Sequence, residues 1–117
     1  MEPTPRKIVR IGVPWGDGYA MGPGKADLLE AIQATGSISA AGRNLGMSYR
    51  RAWLLVDEMN HAFAEPLVEA HLGGAGGGGA KVTDLGREAL RRYRELQDQA
   101  WVAVRKAYLD YCRLLKS

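Results

Sequence analysis

The chain has 117 residues, 46% of them apolar and 25% charged, which suits one globular domain and is too short for two separate cores. At this length neither disulfides nor a structural metal is needed, and the lone Cys112 excludes an internal disulfide framework. The formal net charge of +3 only weakly indicates a polyanion partner, and no apolar run approaches the ~20 residues of a spanning helix; MEPTPRKIVR also lacks a signal-peptide core, so a cytoplasmic protein with no membrane partner is expected.

In chain order, Lys7 to Val13 (KIVRIGV) alternates charged and apolar residues and reads as a short strand, followed by a loop through Pro14, Gly16, Asp17 and Gly18. KADLLEAIQATG then carries Leu28, Leu29, Ala31 and Ile32 at helical spacing until Gly36 ends the pattern. Next, Ser37 or Ser39 can cap a short helix ending at Gly46, and Ser48 can cap a longer one reaching about His61. LVEAHL (67–72) and AKVT (80–83) read as two strands of a hairpin with a glycine-rich, flexible tip, since six of the fifteen glycines fall within 73–79.

Thr83 or Asp84 caps the last helix, and no Gly or Pro follows from Arg87 to Ser117. At ~1.5 Å per residue it is about 45 Å long, more than so small a domain can cover with its own core. Leu85, Ala89, Tyr93, Leu96, Ala100, Ala103, Ala107, Tyr111 and Leu114 step by three or four residues and form one apolar stripe. A stripe without a partner in its own chain predicts a homodimer.

Between Ile38 and Leu55 the contact positions of a helix-turn-helix are filled by Ala41, Gly42, Leu45, Met47, Ala52 and Leu55, with Gly46 at the turn. Gly42 lets the helices approach and Gly46 can take a positive φ. Any crossing helical pair needs small residues, but here a helix precedes the pair and a glycine-tipped hairpin follows, the order of a winged helix-turn-helix. The fold class expected is mainly α with a small β-hairpin. Residues 1–83 would form the DNA-binding part, and 84–117 a dimerisation helix of the same domain.

In that architecture the second helix enters the major groove of double-stranded DNA, so Tyr49, Arg50 and Arg51 of its first turn are the candidate base or phosphate contacts. Ser37 and Ser39 can present a helix N-terminus to a phosphate, Ser48 joins them at the next helix start, and Arg43 and Lys81 can reach the backbone. The plainer readings are capping for the serines and solvated faces for the basic residues. Trp53 is expected to pack rather than to stack on DNA.

GSISAAGRNLGMSYRRAWLLVDEMN and LVEAHLGGAGGGGAKVTDLGREAL resemble the N-terminal DNA-binding domain of the molybdate-responsive ModE family, itself similar to that of LysR-type regulators. The match rests on GSIS, SYRRAW, EMN and the glycine-rich wing, and covers roughly Ile8 to Leu96. It implies a winged-helix dimer that binds a palindromic operator near genes for molybdate uptake or molybdoenzymes. Full-length members continue into paired molybdate-binding modules, whereas this sequence stops at Ser117, so it is either a natural single-domain regulator without that sensor, the reading expected here, or the N-terminal part of a longer member, its effector, if any, open.

No catalytic constellation is recognisable, so no enzyme and no cofactor are expected. GAGGGG fits the dinucleotide pattern formally but precedes a strand rather than a helix, and Ala80 separates Gly79 from Lys81 and so breaks a phosphate-loop pattern. His61, His71 and Cys112 have no metal-ligand spacing. The competing reading is a winged-helix adaptor that binds another protein, and weak salt dependence of its binding would favour it.

Overall fold

The computed structural model describes residues 5–74 and 77–117. These residues are mostly helical, with two small antiparallel hairpins where the sequence suggested one.

The first departure is at the N-terminus. Instead of a strand over Lys7 to Val13, Pro5–Ile8 forms one helical turn, α1, closed by Val9 N–H donating to the Pro5 carbonyl at 2.7 Å. The residues read as a loop make the first hairpin, β1 (Val13–Trp15) and β2 (Gly18–Met21), with Gly16 at φ 60 in the turn. The reason is where the backbone finds its partners. The Ile11 and Val9 carbonyls accept from the Tyr93 hydroxyl at 2.6 Å and Gln97 Nε2 at 2.8 Å, so the long C-terminal helix supplies the hydrogen bonds that a strand neighbour would have.

Helix α2 (Pro23–Thr35) starts on a proline and ends at Gly36, whose φ of 70 is left-handed. It buries Ala26, Leu28, Leu29 and Ile32. Ser37 caps α3 (Ile38–Asn44), its hydroxyl accepting from Ala40 N–H at 3.1 Å, and Ser48 caps α4 (Tyr49–Ala62) through Arg51 N–H at 3.0 Å. The turn between them needs Gly46, at φ 71, and Gly42, where an added Cβ would lie 3.0 Å from the Cβ of Ala52. The second hairpin pairs β3 (Val68–Gly74) with β4 (Gly77–Val82), so both strands run further into the glycines than their flanking residues suggested. Its expected flexible tip, at 75 and 76, lies outside the described residues. Ala80 N–H donates to the Gly36 carbonyl at 2.8 Å, which seats β4 on the α2–α3 corner.

Thr83 caps α5 (Asp84–Cys112), accepting from Gly86 N–H at 3.0 Å and donating to the Pro66 carbonyl at 2.8 Å. Helix α5 buries Gly86, Leu90, Tyr93, Gln97 and Trp101. The expected stripe therefore divides. Tyr93 belongs to the chain's own core, and Leu85 and Ala89 pack against that core, because the fold meets α5 on a face rotated from the stripe. Beyond Trp101 no described residue of α5 is buried, and the molecule is drawn out to 56 × 30 × 24 Å. Among the described residues no helix is long and apolar enough to cross a membrane.

Candidate nucleic-acid interface

Helix α4 is the element on which the candidate residues gather. Ala52, Leu55, Val56 and Met59 seat one side on the core, so the opposite side faces outward with Arg50, Leu54, Asp57 and His61. Asn60 fixes the helix against the second hairpin, its Oδ1 accepting from Leu67 N–H at 2.8 Å and Val68 N–H at 3.1 Å while Nδ2 donates to the Val68 carbonyl at 3.0 Å. No local pattern in the sequence reveals this triple bond. On the same flank Trp53 packs against the core and meets Tyr49 edge-on at 6.1 Å, as expected of a packing residue, though its Nε1 is buried without an acceptor among the described residues.

Charge along α4 is polar. Arg50 and Arg51 stand in its first turn, Asp57 and Glu58 in its C-terminal half, and His61 lies against Asp57 at 3.4 Å. A phosphate-bearing partner is thus favoured at the N-terminal end and opposed at the other. Arg43, in the last turn of α3, adds a third cation beside the turn. Arg43, Arg50 and Arg51 are exposed and make no hydrogen bond or ion pair through their side chains among the described residues. Tyr49 is 62% exposed beside them.

The serines behave as caps. Ser37 and Ser48 spend their acceptor oxygens on Ala40 and Arg51, and Ser39 is half-buried in the first turn of α3. Lys81 is exposed; it faces Glu69 across the ladder and lines a hollow with Glu65, Asp84 and Arg87.

Most of the basic side chains of α5 are held in ion pairs. Arg87 pairs with Asp84, Arg91 with Glu88 and Glu95, Arg92 with Glu88, and Lys106 with Asp110. Hydrogen bonds from Arg91 and Arg92 hold the Glu88 carboxyl down at about 2. Arg94, 13% exposed, crosses to α2, its Nη2 donating to Asp27 and Glu30, both at 2.9 Å. Burial pushes Glu30 up, but Arg94 and Arg6 outweigh it and hold its carboxyl below 4.5. The spacing of the pairs within α5 is legible in the sequence, whereas the link from Arg94 to α2 is not.

No protein-family model matches the chain. It is 39% identical to the molybdenum transport protein ModE of Azotobacter vinelandii over 92 residues, covering 79% of this chain and 34% of that protein. It is 45% identical to the molybdenum-pterin-binding protein MopB of Rhodobacter capsulatus over 80 residues, 68% of this chain and 30% of MopB. To the DNA-binding transcriptional dual regulator ModE of Escherichia coli K12 it is 41% identical over 71 residues, 61% of this chain and 27% of that regulator. The chain spans about a third of the length of the curated relatives it matches. Their names are those of transport, regulatory and binding proteins rather than of enzymes.

Proposed function

We propose that this chain is a sequence-specific DNA-binding transcriptional regulator of the ModE type, built as a winged helix-turn-helix that dimerises through α5. Helices α2, α3 and α4 form the three-helix head, β3 and β4 the wing, and α4 enters the major groove by its N-terminal turn. The observation that carries this reading is that Arg43, Arg50 and Arg51, without an ion pair among the described residues, cluster about one tight turn, while most of the basic residues of α5 are paired with neighbours. Specificity rests on Tyr49, Arg50 and Arg51. Ser37, Ser39 and Ser48 set the helix starts against the phosphates, and Lys81 adds a backbone contact from the base of the wing.

Residues 1–83 act as the reading head and 84–117 as the assembly helix. Leu96, Ala103, Ala107 and Tyr111 are exposed on α5 and, with Leu114 just past its end, form the face offered to a second copy, with Ala100 at its half-buried edge. Two heads held by that contact read a palindromic operator.

The decisive experiment is selection of bound sites from random duplex DNA. Wild-type protein should enrich a two-fold symmetric site, and Arg50→Ala or Arg51→Ala should each lose about 1–3 kcal/mol of discrimination at its own base pair. If both variants keep wild-type affinity and base preference, α4 is not the reading helix. The name of MopB favours a second reading, binding of a molybdenum compound by this chain itself. A rise in its melting temperature with added molybdate would carry that reading.

A further inference from the structure

The N-terminal hairpin, a feature the sequence did not suggest, stands beside α4 across a groove of about 550 Å³ lined by Arg10, Gly12, Tyr19, Lys25, Arg51 and Glu58 among others. We propose that this groove is a second seat for the DNA backbone, in which the guanidinium of Arg10 holds a phosphate flanking the segment that α4 reads and Arg51 marks the border between the groove and the reading turn. The proposal rests on the DNA-binding reading and extends it to an element outside the three-helix head and wing.

Three observations carry it. The first is charge. Lys25 and Glu58 are 3.6 Å apart and offset one another, which leaves Arg10 and Arg51, both exposed and without an ion pair among the described residues, as the groove's net charge. Two guanidiniums in one channel suit a polyanion strand.

The second is continuity. Arg51 belongs both to the groove and to the first turn of α4, so a backbone lying there is contiguous with the proposed interface. Further along α4 the neighbouring hollow, about 320 Å³, has Asp17, Asp57 and Glu58 in its wall, and that end repels phosphate. The strand is therefore confined to the Met47 and Arg51 end.

The third is rigidity. Lys25, only 7% exposed, donates from Nζ to the Tyr19 carbonyl at 2.5 Å. A lysine buried in the first turn of a helix is unfavourable with respect to the helix dipole, and here its contacts with Tyr19 and Glu58 offset that cost and tie β2 to α2 and α4. The Tyr19 ring lies on Gly12, where an added Cβ would stand 2.7 Å from Cε1. The hairpin is thus held at a set distance from α4, as a backbone clamp requires, and the 59% exposed Tyr19 ring borders the channel.

The test is an anisotropy titration of the full chain against a duplex of about three helical turns carrying the selected site, and against one of random sequence, over a range of salt. Arg10→Ala should weaken both complexes about three- to tenfold near 0.1 M salt and reduce the slope of log K against log salt by about one per protomer. Base preference in selection should stay as in wild type, and Arg10→Lys should restore the slope. Arg10 is exposed, so an unchanged thermal melt verifies the fold of each variant. If Arg10→Ala keeps wild-type affinity and slope while Arg50→Ala loses base preference, the groove does not hold the backbone although the DNA reading stands. A change of base preference at an unaltered slope also overturns the proposal, since Arg10 would then read a base. If wild-type protein has no salt-dependent affinity for either duplex, the DNA-binding reading itself fails.

Discussion

Gly86→Ala separates two opposed effects at the start of α5. An alanine in open space within a helix gains about 1 kcal/mol over glycine. At position 86, however, the new Cβ would stand 2.3 Å from the Leu67 carbonyl oxygen and 2.7 Å from Val82 Cγ1. That carbonyl cannot swing aside easily, because it accepts Thr83 N–H at 2.9 Å and the Leu67 amide is itself bound by Asn60 at 2.8 Å. Relief needs α5 to withdraw by about an ångström, which loosens the Thr83 cap, worth about 1 kcal/mol, and adds overpacking of about 1–3 kcal/mol. Subtracting the propensity gain leaves a net destabilisation of about 1–3 kcal/mol. For a chain of 117 residues 1 kcal/mol corresponds to about 4 °C, so the melting temperature should fall by about 4–12 °C. Gly24→Ala is the control: nothing lies within 4 Å of its added Cβ, and it should raise the melting temperature by up to about 4 °C. A Gly86→Ala protein that melts at or above the wild-type temperature would refute the close approach of α5 to the β3 start.

Asn60→Ala removes three hydrogen bonds between α4 and the start of β3 and should cost about 2–4 kcal/mol, with faster amide exchange at Leu67 and Val68; a loss below about 1 kcal/mol would show that packing alone holds the wing. Glu30 and Glu88 titrate below their unfolded value of 4.5, Glu88 at about 2, so their stabilisation is complete above that value and is lost as the pH falls through the folded one. Melting followed from about pH 5 to about pH 2 should therefore show a decline, one that is shallower in Arg94→Gln; equal slopes in the two proteins would count against the Arg94 cluster. Leu96→Asp with Ala100→Asp should give monomers by light scattering, and an unchanged dimer would mean that the copies meet elsewhere.

The resemblance carried by GSIS, SYRRAW, EMN and the glycine-rich segment agrees with the relatives found, at about 40% identity over part of the chain. The cap at Ser48, the helix stop at Gly36, the positive φ of Gly46 and the two close-packed helices around Gly42 were legible in the sequence, whereas it left Ser37 or Ser39, and Thr83 or Asp84, open as caps. Each is a local matter: a cap, a turn or a crossing involves residues a few positions apart, and steric rules decide it. The β1–β2 hairpin was hidden because Pro14, Gly16, Asp17 and Gly18 fit a loop equally well, and only packing beside α4 and the lysine bond to Tyr19 select the hairpin.

Availability of charge and the buried face of α5 are tertiary decisions. The stripe from Leu85 to Leu114 is periodic throughout, yet the fold claims Tyr93 and turns a neighbouring face inward with Gln97 and Trp101. Hydrophobic spacing defines an apolar face, but its partner is chosen by contacts many residues distant, such as Tyr93 to Ile11 and Gln97 to Val9. Likewise the sequence marks Arg43, Arg50 and Arg51 as candidate contacts, but only the structure leaves them exposed and without an ion pair among the described residues. An ion pair cancels a charge only when the chain brings the carboxylate within reach, and for Arg94 that carboxylate lies on another helix.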